Sequence, residues 1–144
     1  MNPGELLLRA LALDELEPRL TEALPWLLLR FEGFDAEAMA VWVKTRDLQN
    51  RLGFTVSLAR RVAERKPCYR NRLDELRRFE ELLERSRLVR EETYGRREAS
   101  PRMRKWLRAN RSGEARHWSL LTDLKVEHLP YAGEDPGTVA QLPA

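Results

Sequence analysis

A single cysteine, Cys68, stands in 144 residues, so no internal disulfide can form and no cysteine cluster can hold zinc. A long apolar run is missing too. The longest, residues 23–29, covers seven residues and includes Pro25, far short of the ~18 a bilayer-spanning helix needs. The first twenty residues scatter acids among leucines with no basic region ahead of them, which does not read as a secretory signal. These absences predict a cytoplasmic protein that does not enter a membrane. Only two histidines occur, and there is no glycine-rich phosphate loop, no His-Glu-x-x-His pair and no nucleophile elbow. Neither a metal nor an organic cofactor is implied. Lysine and amides are scarce: four Lys against twenty-two Arg, with four Asn and two Gln, a balance expected of a GC-rich or thermophilic bacterium.

What is present is 42% hydrophobic and 34% charged, a soluble, helix-friendly mixture of single-domain length. The net charge of +3 hides an uneven distribution, since residues 60–111 hold eighteen basic and nine acidic side chains while both flanking parts are net acidic. That basic third is either a strip for neutralising phosphates or the solvated surface of long, arginine-rich helices.

No strand-like alternation and no internal repeat is visible, which predicts an all-α protein. Its body, residues 1–124, reads as a compact multi-helix bundle. Residues 125–144 read as an irregular tail, extended or disordered, that Leu129 and Tyr131 pin at its start. Asn2 and Pro3 open a first helix, and a second starts near Glu17 and is broken or restarted at Pro25. Asp35 caps a helix over 36–52, and a long helix over 71–92 carries the stripe Leu73, Leu76, Phe79, Leu83 and Val89. Ser100-Pro101 starts a helix over 102–110 with Met103, Trp106 and Leu107 on its inner face. A last helix over 114–124 carries Trp118, Leu121 and Leu124. The Trp26-Leu27 segment and the face of Leu76, Phe79 and Leu83 are either core or the surface for self-association or a helical protein partner.

The stretch 45–66 carries the strongest functional signal. One helical pattern ends at Leu52, Gly53 offers the positive φ of a chain reversal, and a second pattern runs from Thr55 to Lys66. Ala59 and Val62 face inward, leaving Ser57, Arg60 and Arg61 outward. This outline resembles the helix-turn-helix of small bacterial regulators, although Gln49 stands where the motif has a small residue. The resemblance implies double-stranded DNA as partner, with the second helix in the major groove. Arg60, Arg61 and Arg65 would take phosphates or guanine edges, and Thr55 and Ser57 the backbone. Arg102 and Lys105 would add affinity that does not depend on sequence. Such a protein would be a dimeric transcriptional regulator or an antitoxin-like partner. The same letters also describe a plain helical hairpin in an adaptor that binds protein instead of DNA.

A second, shorter pattern is Arg111 to His117, RSGEARH. It resembles the arginine-to-histidine signature of HEPN-type ribonucleases, which implies His117 managing protons at a scissile phosphate and Arg111 holding the developing charge. That reading requires both side chains in one cleft.

Overall fold

A computed structural model describes residues 2–97 and 99–133. Its fold is mostly helical, and its centre is a helix the sequence splits in two. Helix α1 (Pro3–Ala12) is opened by the Asn2 side chain, which accepts from the Glu5 N–H at 2.9 Å. Helix α2 (Pro18–Arg30) runs straight through Pro25, contrary to the expected break. The ring costs one backbone hydrogen bond, and Pro25 is buried in the helix it occupies.

Helix α3 (Ala36–Lys44) is capped by Asp35 and ends earlier than expected. The reversal falls at residues 45–48, where Asp47 takes φ +56° and leads into α4 (Gln49–Arg65). The helical hairpin is therefore real, but its turn lies before Gln49 and Gly53 sits inside α4. There the glycine serves closeness. A Cβ at residue 53 would lie 2.5 Å from the Trp118 ring, so only hydrogen lets that indole cross the helix. Every residue from Leu52 to Ala59 is buried. A helical segment buried on every side belongs at the centre of a fold, and α4 touches α1, α2, α3 and α5.

After a 3-10 turn, Pro67–Arg72, comes α5 (Leu73–Glu84), shorter than the expected helix to residue 92. Leu76, Phe79 and Leu83 are 0–2% exposed against the core, so this stripe is no partner surface. Trp26 and Leu27 are half-buried, with Trp26 edge-on to Phe31. The chain leaves α5 because α4 captures it. Gln49 donates to the Ser86 carbonyl at 3.0 Å, while Asn50 donates to the Leu88 carbonyl and accepts from the Leu88 N–H, both at 2.8 Å. Val89 is left 88% exposed.

Strand β1 (Glu92–Thr93) follows, then α6 (Pro101–Asn110), capped by the Ser100 hydroxyl. Helix α7 (Gly113–His117) has one turn and a half and stops where Ser119 takes φ +56°. The expected helix to residue 124 gives way to strand β2 (Leu120–Leu121), which pairs in parallel with β1, Glu92 facing Leu120. Trp118, Leu121 and Leu124 are nevertheless all buried. The start of the expected tail is folded into 3-10 turns over Val126–His128 and Pro130–Ala132, with Leu129 buried and the Tyr131 hydroxyl donating to the Glu22 carbonyl. Residues 134–144 of that tail lie outside the described residues. No helix among the described residues is long and apolar enough to cross a membrane.

Candidate nucleic-acid interface

Because α4 is central, most of the side chains expected on DNA face inward. Thr55 is buried, with its hydroxyl bonded to the Arg51 carbonyl at 2.8 Å and to the Tyr94 hydroxyl at 2.7 Å. Burial raises the Tyr94 phenol far above its ordinary range, so the pair stays neutral. Ser57 is buried as well. It accepts from the Trp118 indole N–H at 2.9 Å and donates to Glu80. Arg60 takes both oxygens of Glu80, at 3.1 and 3.2 Å, and reaches Glu64 at 2.6 Å. Arg61 pairs with Glu114, and Arg65, half exposed, touches Glu127 at 3.4 Å. The groove-reading assignment of Thr55, Ser57, Arg60 and Arg61 is thereby corrected. These residues fasten α4 to α5, α7 and the core, and a hydroxyl without solvent access cannot reach a phosphate.

Other arginines finish helix ends. Arg51 donates to the Leu11 carbonyl at 2.8 Å behind α1, buried Arg72 to the Leu28 carbonyl at 3.2 Å in α2, and Arg87 to the His117 carbonyl at 3.1 Å in α7. Cations at helix C-termini satisfy orphan carbonyls and complement the helix dipole. Helix α5 shows solvent Arg77 and Arg78, with Arg85 at its C-cap, interleaved with Asp74 and Glu81, a surface of mixed sign.

Arg111 and His117 go separate ways. Arg111 reaches Glu91 and the Leu120 carbonyl, both at 3.4 Å, which bolts β2 in place. His117 sits 2.6 Å from Glu84 on the rim of a cleft between α5 and α7 that also holds Glu80, Glu81 and Glu114. Partial burial raises the Glu84 carboxyl, but the hydrogen bonds from His117 and Arg87 outweigh it and hold it below its ordinary value. Its charge therefore contributes stability above the unfolded carboxylate pKa, and that contribution is lost as pH falls through the lowered folded value. Both partners are more than 40% exposed, so solvent screening leaves a small effect. Glu84→Gln should lower the unfolding free energy obtained from urea titration at neutral pH by no more than the ~0–1 kcal/mol typical of exposed pairs, and by less in acid. No set of three or more His, Cys, Asp or Glu is gathered as metal ligands among the described residues.

Helix α6 differs from all of this. It holds Arg102, Arg104, Lys105 and Arg108 and no acid, and the segment 96–111 has seven basic residues and one acidic. Arg108 is spent on Glu91, taking its two oxygens at 3.1 and 2.6 Å. That hydrogen bond, against partial burial, keeps the Glu91 carboxyl below its ordinary range. Arg102 and Lys105 are exposed and make no hydrogen bond or ion pair among the described residues. Leu107 alone is buried on this helix. Trp106, expected on the inner face, is 50% exposed. Residues 102, 105, 106 and 109 follow i, i+3, i+4 and i+7 spacing and share one face, so two cations flank an indole beside the small Ala109. Next to that ring an open groove of about 450 Å³ is lined by Arg96, Arg102, Met103, Trp106, Leu107 and Asp123. The residue that sequence reasoning missed is Trp106, and its signal was the spacing to Arg102 and Lys105.

Comparison with protein-family models, with curated proteins and with solved structures gives no match. What defines the molecule is its mostly α fold with one basic, aromatic-bearing peripheral helix.

Proposed function

We propose that the protein binds nucleic acid through the exposed face of α6, with Arg102 and Lys105 on phosphates. The observation that carries this reading is a face of α6 on which Arg102 and Lys105 stand exposed, without a partner among the described residues, on a helix that holds no acid. Elsewhere in the basic third Arg60, Arg61, Arg72, Arg87 and Arg111 satisfy carboxylates or helix carbonyls, and the exposed Arg77 and Arg78 of α5 share their surface with Asp74 and Glu81. On α6, Arg102 and Lys105 carry full charge into solvent, where a phosphate releases counterions and gains affinity. The mode is sequence-independent, because Arg102 and Lys105 are exposed and no side-chain contact among the described residues braces either one in a fixed base-reading geometry. The part assigned to DNA recognition thus moves from α4 to α6.

The test is the anisotropy of labelled DNA over about 50–200 mM salt. Wild type should bind, with affinity falling steeply as salt rises. Arg102→Gln/Lys105→Gln should lower affinity at low salt by on the order of tenfold or more and flatten the log–log salt slope by about two. Arg60→Ala/Arg61→Ala should lower stability yet leave the slope of the folded protein unchanged. Wild type that does not bind at low salt, or binding indifferent to Arg102 and Lys105, would overturn the proposal.

A further inference from the structure

We infer that the nucleic acid taken by α6 is single-stranded, with one unpaired base stacked on the Trp106 indole inside the adjoining groove. This rests on the reading of α6 as a phosphate-binding helix and adds the class of ligand.

The argument starts from the cost of leaving Trp106 where it is. An indole buries about 150–250 Å² when covered, and the neighbouring Leu107 shows that this helix can cover an apolar side chain. Trp106 is instead half exposed, flanked by Arg102 and Lys105 at the two positions that share its face. Cations beside an open aromatic ring are the arrangement by which proteins hold unpaired strands: charge tracks the backbone and the ring takes the face of a base. A duplex offers Trp106 nothing comparable, because its bases are stacked on one another and present only edges.

The groove gives the base somewhere to go. Its apolar walls come from Met103, Trp106 and Leu107, and Arg96 and Arg102 stand on its lining. About 450 Å³ is within the range of pockets that hold small ligands. Asp123 is the one acid on that lining among the described residues. Its charge repels phosphate from its own wall, so the backbone lies toward Arg102 and Lys105 while the base points inward. Helix length agrees with a small footprint. Ten residues rise about 15 Å, enough for a few nucleotides of extended strand.

Titration of wild type, Trp106→Phe and Trp106→Ala with an unlabelled oligothymidylate and with a duplex of equal length tests the idea by two readouts, indole emission and affinity. The oligothymidylate should quench wild-type emission and the quench should vanish in Trp106→Ala, since Trp26, Trp42 and Trp118 lie off this face. Single-strand affinity should fall about tenfold in Trp106→Ala, with part restored in Trp106→Phe, while duplex affinity changes by less than about twofold. Equal losses on both ligands, or binding with no quench, would overturn the stacking inference and leave the phosphate-binding reading standing. No binding of either ligand by wild type would sink both. A blue shift of emission on phosphatidylglycerol vesicles without any response to oligonucleotide would assign the face to an anionic membrane surface and also overturn it.

Discussion

Gly53→Ala is expected to destabilise the fold by roughly 1–3 kcal/mol, the usual cost of forcing extra volume into a filled core. The sign is the informative part. In a helix interior the same change ordinarily gains about 1 kcal/mol, because alanine restricts the unfolded chain and favours the helix. Here the added methyl would meet three ring carbons of Trp118 at 2.5–2.6 Å. That indole is 1% exposed and tied through its N–H to Ser57, so it has nowhere to move. Removing the ring should restore the ordinary sign. Trp118→Ala alone should cost about 3–5 kcal/mol, and in that background Gly53→Ala should become neutral or stabilising. Urea unfolding of the two single variants and the double variant measures this. The same destabilisation in both backgrounds would refute the assignment of Gly53 to the Trp118 contact.

Asn50→Asp should be at least as damaging at neutral pH, at about 3 kcal/mol, and should recover in acid. Asn50 is 1% exposed and serves both backbone groups of Leu88. A carboxylate keeps the acceptor for the Leu88 N–H but turns a second oxygen toward the Leu88 carbonyl, with burial adding to the cost. Burial raises the pKa of the new carboxyl in the folded state. The folded state then binds more protons than the unfolded one, so stability falls as pH rises through the carboxylate range. Lowering pH reverses this, because the protonated group can donate to the Leu88 carbonyl as the amide does. Asn50→Leu should lose a similar amount with little dependence on pH. Chemical denaturation of both variants across the acid range separates them, and parallel pH profiles would mean that Asn50 does not hold the 86–88 segment in this way.

Signals that act within one turn of helix were legible in the sequence. Asn2-Pro3, Asp35 and Ser100-Pro101 marked helix starts because a cap and its N–H partner are three residues apart. The stripe of Leu76, Phe79 and Leu83 marked a buried face by periodicity, although not whether the chain itself or a partner covers it. Long-range contacts left no local trace. Gly53 reads as a turn because glycine so often makes one, and its partner lies sixty-five residues on. Gln49 and Asn50 read as ordinary polar positions, and only the folded chain shows them ending α5 by claiming residues 86–88. A two-residue parallel pair is too short for alternation to reveal. For the candidate site, Arg102 and Lys105 were named from the sequence, while Trp106 was placed inside because periodicity alone cannot separate the edge of an apolar stripe from its middle.

The crossing of Trp118 over Gly53 also bears on the order in which the molecule is made. Synthesis delivers α1 to α5 before residue 118 exists, and until then α4 carries an indole-sized slot beside a Ser57 hydroxyl that lacks its N–H donor. The nascent helices can collapse around α4 but cannot close it. Completion waits for the segment of α7 and β2, which seats Trp118 and brings β2 against β1. The hub of the fold, translated early, is thus finished by one of the last parts of the described chain to leave the ribosome.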